Sequence, residues 1–303
     1  MRVFITGACG FAGRHLVHEL TEAGHEPFGF GLEPPPGPGF CPVIQGDILK
    51  PDEVAAAVRE IRPEAGVHLA AMAAPADAAS RAALMAAVNI QGTVHVLEAF
   101  RREAPRARLL AVSSARIYGS RTPPAPIRED EPPTPDSLYA ITKEAADRLA
   151  LQYAADFHAP FLTARPHNHT GPGQGEAFSV GSFAAQFRRM AAGLEPPVLK
   201  IGNPDSARDF LDVRDVVRAY RLLLEKGQPG LAYNIASGRS VSIGEIIAAL
   251  SRITGLRPEV RIEPARYRPA DFSAPLDTTR LAEHTGWRPR LTLDETLRDM
   301  VAV

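Results

Sequence analysis

The sequence predicts a doubly wound α/β fold, a parallel sheet with helices on both faces, followed after residue 166 by a smaller α/β domain. Three observations carry that expectation. Short apolar runs alternate with amphipathic stretches through the first 165 residues, a glycine triplet separates the first apolar run from the first helical pattern, and the strict alternation lapses after residue 166. Repeated strand–helix–strand units require long right-handed crossovers, which give parallel pairing. A chain of 303 residues is long enough to bury the core that such a sheet needs.

The first strand, VFIT (3–6), runs into TGACGFAGRHL, which places Gly7, Gly10 and Gly13 between strand and helix. Gly7 permits a tight turn, Gly10 lets a pyrophosphate approach the backbone, and Gly13 allows close packing of helix on strand. Phosphates then meet the unpaired N–H groups and the dipole of the helix N-terminus. The sheet is therefore expected to be Rossmann-type, and the ligand a dinucleotide, NADP or NAD. The second strand, PFGF (27–30), ends at Gly31, with Glu33 two residues on. An acid at the strand end would favour NAD; Gly31 leaves room for the 2′-phosphate of NADPH, while Glu33 weighs the other way. A third strand, PVIQ (42–45), leads to Asp47 in GDI, where a carboxylate either meets the adenine amino group or serves the turn before the helix at 51–61.

Prolines cluster at 34–38 and 123–135 and mark loops. Strands follow at GVHLA (66–70), RLLAVS (108–113) and FLTAR (161–165). Beyond them come a glycine-rich loop (171–175), a helix at about 179–192, the helix VRDVVRAYRLLLEKG, the strand AYNIAS and the helix SIGEIIAALSRITG. The expected division is a dinucleotide-binding domain of residues 1–165 with about 212–237, and a substrate-binding domain of 166–211 with about 238–303.

SSARIYG (113–119) ends the fifth strand with two hydroxyls, and YAITK (139–143) opens a helix with Tyr139 and Lys143 on one face. A Tyr–Lys pair at this spacing is often only solvated; the order of glycine loop, serine-ended strand and YxxxK gives it a chemical reading. A phenol of pKa about 10 is a poor acid at neutral pH. A nearby ammonium stabilises the phenolate, and a hydroxyl at the strand end would hold the reacting oxygen.

The 34 basic and 35 acidic residues nearly cancel, so nucleic acid and anionic membrane surfaces are not expected partners. No apolar run approaches the roughly 18 residues of a membrane span, and RVFITG follows the first methionine without a signal-peptide pattern. A cytoplasmic location is expected. Cys9 and Cys41 form no disulfide framework or CxxC pair. HNH (167–169) lacks a third ligand at metal-binding spacing, and no metal is expected.

Taken together, TGACGFAGRHL, GDI, HLAA, VNIQGT, SSARIYG, YAITK, ARPHNHTGPGQ, ARDFLDVRDVV, YNIASG, RPAD and TGWRPR span nearly the whole chain. They resemble the extended short-chain dehydrogenase/reductases of the NAD-dependent epimerase/dehydratase family, which act on nucleotide sugars. The resemblance implies a catalytic set of Ser114, Tyr139 and Lys143. It implies cofactor contacts at Gly7, Cys9, Gly10, Phe11, Ala12 and Gly13 in the first motif. Asp47, Ile48, Leu69, Ala70, Ala71 and Asn89 complete that set, with Tyr139 and Lys143. ARPHNHTGPGQ and ARDFLDVRDVV most resemble the GDP-sugar enzymes, the 4-keto-6-deoxy-mannose reductases first and the GDP-mannose 4,6-dehydratases next. Arg116, Asn168, Lys200, Arg208 and Arg268 would then face a GDP-linked sugar, with Arg208 and Arg268 on its phosphates. The plainer reading of Arg208 beside Asp209 is an ordinary surface pair, and Arg268 precedes a proline in a loop. The resemblance also implies a homodimer through a four-helix bundle built from 85–101 and 139–157, although apolar residues there would equally suit the core.

The family's dehydratases carry a glutamate two residues after the active-site hydroxyl, as the base for elimination. Arg116 occupies that place here. Always protonated, arginine cannot be that base. The expected reaction is NAD(P)H-dependent reduction of the 4-keto group of a GDP-4-keto-6-deoxyhexose. A nucleotide-sugar 4-epimerase uses the same trio and is the first alternative, a GDP-mannose 4,6-dehydratase the second, with a non-catalytic cofactor-binding regulator as the reading from another class.

Overall fold

The computed structural model describes residues 1–73, 80–120, 125–265, 267 and 274–302. Its strands are β1 (Arg2–Thr6), β2 (Glu26–Gly31), β3 (Val43–Gln45), β4 (Ala65–His68), β5 (Arg108–Val112), β6 (Phe161–Pro166), β7 (Asn168–Thr170), β8 (Val198–Ile201), β9 (Ala207–Asp212), β10 (Ala232–Ile235), β11 (Ser240–Ser242) and β12 (Glu259–Ile262). Its helices are α1 (Phe11–Glu22), α2 (Pro51–Ile61), α3 (Ala82–Glu103), α4 (Leu138–Phe157), α5 (Ser179–Ala191), α6 (Val213–Lys226), α7 (Ile243–Thr254), α8 (Thr279–Thr285) and α9 (Leu293–Val301).

Seven strands form one parallel sheet in the order β10-β6-β5-β4-β1-β2-β3. Six of them follow the strand order of a Rossmann fold, and β10 extends it beside β6. The expected strand at 42–45 begins only at Val43, because Pro42 has no N–H for the ladder; its carbonyl still accepts from the Gly29 N–H at 2.8 Å.

Each sheet face buries a helix layer. Leu16, Val17 and Leu20 of α1 meet Val216, Val217, Tyr220 and Leu223 of α6 on one face. On the other, Val54 and Val58 of α2, Leu97 and Phe100 of α3, and Ala150 and Ala154 of α4 close together. Full burial of a large aliphatic or aromatic side chain stabilises by about 1.5–3 kcal/mol, so these two layers dominate stability. Among the described helices, α3 alone is long and apolar enough to cross a membrane, yet it packs here as a core helix.

α8 packs through Leu281 on the large sheet's core beside α6 and β10, and the other elements form a smaller unit. A three-stranded sheet runs β11-β9-β7, and a two-stranded one pairs β12 with β8. Phe183 and Phe187 of α5, Ile246 and Leu250 of α7 and Leu297 of α9 form its core. Capping boxes start α7 (Ser242 with Glu245) and α9 (Thr292 with Glu295). This unit meets the large sheet at α1, where Phe11 stacks on His169 at 6.2 Å and His15 Nε2 donates to the Pro172 carbonyl at 2.9 Å.

Candidate active site

The strand order reverses at β1, which has β4 on one side and β2 on the other, and a cleft opens at the carboxyl ends of these strands. Gly7 takes φ 72°, and a Cβ there would lie 3.1 Å from the Ala70 nitrogen. At Gly13 a Cβ would lie 2.2 Å from the Gly7 carbonyl oxygen, so α1 rests directly on its own loop. Gly10 caps α1 with no side chain, which leaves the first-turn N–H groups to face an anion.

The cleft, about 390 Å³, is lined by Gly7, Cys9, Gly10, Gly31, Glu33, Asp47, Ile48, Ala70 and Ala71. Leu32, Met72, Arg81 and Leu84, which sequence reasoning did not select, line it as well. Asp47 lines the cleft, and its Oδ1 also accepts from the Leu49 N–H at 2.9 Å in the turn. A glycine floor, main-chain N–H groups at a helix start and a long apolar wall fit a dinucleotide. Phe11, Ala12 and Leu69, each partly buried, pack against the core under α1.

Asn89 is buried in a π-helical turn of α3, Ala87–Gln91. Its amide bonds the Met72 N–H at 2.8 Å, the Met72 carbonyl at 3.1 Å and Thr142 Oγ1 at 3.0 Å. It braces the wall of the cleft rather than lining it.

The two serines after β5 do different work. Ser113 Oγ donates to the Lys143 carbonyl at 3.2 Å and fastens the strand end to α4. Ser114 caps the short turn Ala115–Tyr118, accepting from the Arg116 N–H at 3.2 Å, and it hydrogen-bonds to the Tyr139 phenol. Tyr139 lies in the first turn of α4, which Ser137 caps by accepting from the Ala140 N–H at 3.3 Å. One turn on, Lys143 is buried and its ammonium donates to the Val112 carbonyl. Burial lowers its pKa to about 8, against an upward pull from Asp147. Burial raises the Tyr139 phenol, while the Ser114 hydrogen bond and the Arg116 charge pull it back down. The structure thus brings Ser114, Arg116, Tyr139 and Lys143 to one strand end.

A second cleft, about 420 Å³, lies in the smaller unit, and Phe178, Ser182, Asn203, Ser206, Arg208 and Phe210 help to line it. Asn168 pairs with Phe210 in the β7–β9 ladder, which puts it on the same sheet face as Phe210 and Arg208. Asp209 turns inward, where it accepts from the N–H groups of Ser237 at 3.1 Å and Gly238 at 2.8 Å. Lys200 is 59% exposed and faces Glu263 at 4.0 Å, on the opposite side of β8 from buried Leu199 and Ile201. It stands apart from the lining residues. Arg268 lies outside the described residues.

The HNH side chains are held in the packing. His167 Nε2 donates to the Ala274 carbonyl at 2.8 Å, and His169 Nδ1 donates to the His167 carbonyl at 3.2 Å. Among the described residues no group of three His, Cys, Asp or Glu side chains could hold a metal ion.

Residues 3–236 match the model of the NAD dependent epimerase/dehydratase family. The GDP-6-deoxy-D-mannose reductase of Pseudomonas aeruginosa is 37% identical over 303 aligned residues, covering 99% of this chain and 96% of the relative. Among solved structures, RMD from Pseudomonas aeruginosa complexed with NADPH has a TM-score of 0.85 at 33% identity, with 99% of this chain and 97% of that one covered. The UDP-glucose 4-epimerase of Thermus thermophilus in complex with NAD has a TM-score of 0.87 at 31% identity, covering 99% and 98%.

Proposed function

The chain belongs to the NAD dependent epimerase/dehydratase family, and on that premise we propose that it reduces the 4-keto group of a GDP-4-keto-6-deoxyhexose to give a GDP-6-deoxyhexose. NADPH or NADH is the reductant, in keeping with the ligands of its structural relatives. The observation that carries this reading is the Ser114–Tyr139 hydrogen bond with a cation, Arg116, where elimination would need a base. Its likeness to a GDP-6-deoxy-D-mannose reductase supports the choice of base and sugar.

When bound, the dihydronicotinamide supplies hydride to carbon 4 of the sugar. Ser114 and Tyr139 hold the carbonyl oxygen between two hydroxyls, and Tyr139 gives it a proton as negative charge develops. The Lys143 ammonium stabilises the phenolate that Tyr139 becomes, and a solvent proton restores the phenol. The glycine loop and the start of α1 hold the cofactor diphosphate on the large sheet. Arg208, Arg268 and Asn168 serve the nucleotide sugar from the smaller unit, the arginines as rigid guanidinium forks on its phosphates.

Mixing the protein with enzymatically generated GDP-4-keto-6-deoxymannose and NADPH tests this. Absorbance at 340 nm should fall, and Tyr139→Phe should slow the fall by at least about a hundredfold. Unchanged absorbance with both NADPH and NADH would overturn the reading. The likeness to a UDP-glucose 4-epimerase keeps a second one, nucleotide-sugar 4-epimerisation. It predicts turnover with no added reductant and cofactor retained through purification.

A homodimer through paired α3 and α4 faces is part of the proposal. Leu138 and Ile141, three residues apart on α4 and 37% and 50% exposed, support it. Sedimentation should give a dimer, and Ile141→Lys should yield a monomer.

A further inference from the structure

Arg116 sits where the tip of the β5 loop meets the start of α4, and its contacts reach both. Its backbone N–H donates to Ser114 Oγ at 3.2 Å. Its guanidinium donates to Asp136 Oδ1 at 3.1 Å and to Ser120 Oγ at 3.4 Å. The other Asp136 oxygen accepts from the Ser120 N–H at 2.8 Å, so Arg116, Ser120 and Asp136 form a closed ring of hydrogen bonds. Asp136 directly precedes the N-cap Ser137, and Tyr139 is in the first turn that follows. The ring therefore ties the residue that fixes the Ser114 hydroxyl to the segment that fixes the Tyr139 phenol.

We infer that Arg116, anchored by Asp136, is a positioning residue for the proton donor: it sets the Ser114–Tyr139 distance and holds a permanent positive charge beside the phenol. The inference rests on the catalytic set proposed above and adds a second cation to it. Lys143 comes from within the helix and donates to the Val112 carbonyl. Arg116 comes from the loop on the other side, and its charge favours the phenolate against burial, which opposes it.

The surrounding charges are few enough to separate. Lys143 and Asp136 flank Tyr139 on its own helix and the turn before it. Across the sheet end, the Tyr139 phenol is sensed by Tyr220 of α6. His167, between β6 and β7, senses both Arg116 and Asp209, and burial lowers its pKa. Among these groups Arg116 is the one whose charge does not change at any accessible pH.

The test is the titration of the phenol itself, read as the tyrosinate absorbance at 295 nm of each protein minus that of its Tyr139→Phe counterpart. Arg116→Gln should raise the midpoint by about 1 pH unit, and Arg116→Lys should restore part of that shift. Asp136→Ala should raise the midpoint in the parent but not in the Arg116→Gln protein, since it acts by releasing Arg116. In the reductase assay Arg116→Gln should lower kcat more than it raises KM. An unmoved midpoint in a folded Arg116→Gln protein, or equal effects of Asp136→Ala in both backgrounds, overturns the inference. The titration needs no substrate. A shifted midpoint without reductase turnover therefore sinks the proposed reaction and keeps the inference, and turnover with an unmoved midpoint does the reverse.

Discussion

His68 Nε2 lies 3.0 Å from the hydroxyl of Thr93, and Thr93 is already committed as donor to the Asn89 carbonyl at 2.7 Å. Thr93 therefore accepts from His68. Nδ1 is left without a proton and accepts from the Thr6 hydroxyl at 2.7 Å. Thr6 Oγ1 in turn accepts from the N–H groups of Leu69 and Ala70, each at 3.1 Å. Beyond Asn89 the line continues through Thr142, whose hydroxyl donates to the Tyr139 carbonyl at 2.8 Å. A neutral histidine thus joins the strand before the glycine loop to the helix turn that carries Tyr139.

That assignment has a consequence for acid stability. Burial, with a smaller push from the Lys143 charge, lowers the His68 pKa to about 3. The unfolded value is about 6.5, so between the two the unfolded chain binds the extra proton, and stability rises with pH. The slope from one such group is at most about 1.4 kcal/mol per pH unit. His68→Gln should be less stable than the parent at pH 7 and should lose less on acidification to pH 4.5, as read from urea midpoints. His167 and His169 are also lowered by burial and steepen the same limb in both proteins, so the difference isolates His68. Parallel curves would mean that His68 is not held neutral.

Little of this line was visible in the sequence. The glycine triplet, the serine-ended strand and the Tyr139–Lys143 spacing are short-range patterns, and each lies where its pattern predicts. His68 and Thr93 are single polar residues inside apolar runs, and only the pairing of β1 with β4 and the packing of α3 bring them together. The resemblance implies a cofactor contact for Asn89, and nothing local in the sequence shows that its amide bonds Met72 and Thr142 from a π turn. Lys200 has no local feature that reveals its face. Asp147 was within reach, since it follows Lys143 by one helical turn.

Lys143 should cost stability in proportion to its use. Its pKa is lowered to about 8 in the folded chain, so below that value a buried ammonium opposes folding. The unfolded lysine keeps its proton to about pH 10.4, and stability should therefore rise with pH between about 8 and 10.4. Lys143→Met removes the penalty, on the order of 1–3 kcal/mol, and with it the charge that supports the phenolate. A thermal scan should show Tm unchanged or raised while kcat falls at least about a hundredfold. A Tm lowered by many degrees would show that the Val112 hydrogen bond outweighs the buried charge.

Gly13 and Gly31 should respond oppositely to one methyl group. At Gly13 the new Cβ would meet the Gly7 and Ala8 carbonyl oxygens at 2.2 and 2.6 Å, both backbone atoms of the glycine loop. Gly13→Ala should lose about 1–3 kcal/mol and at least tenfold in dinucleotide affinity. At Gly31 the closest such atom is the Gly7 nitrogen at 3.9 Å, so Gly31→Ala should fold with nearly unchanged stability. Calorimetry and dinucleotide titration of the two variants check both halves. Equal loss of stability in both variants would contradict the close packing of α1 on its loop.

The last prediction concerns the charge behind Lys143. Asp147 is buried one turn beyond it and pairs with buried Arg165, with Oδ2 at 2.6 Å from a guanidinium nitrogen and Oδ1 at 3.2 Å from Nε. Arg165 also donates to the Tyr118 hydroxyl at 2.7 Å and the Glu129 carbonyl at 2.9 Å. Asp147→Asn would leave Arg165 buried and uncompensated, at a loss of about 3–5 kcal/mol. It would also remove the upward pull on Lys143, so the high-pH fall of kcat/KM should move below its parent position near pH 8. Asp147→Leu with Arg165→Met removes both charges and should recover part of the stability, since a buried pair is often replaceable by apolar packing. It should not recover the pH profile, because Lys143 would still lack its carboxylate. If urea midpoint and pH profile recover together, Asp147 acts on the fold alone, and the ammonium owes its charge to another neighbour.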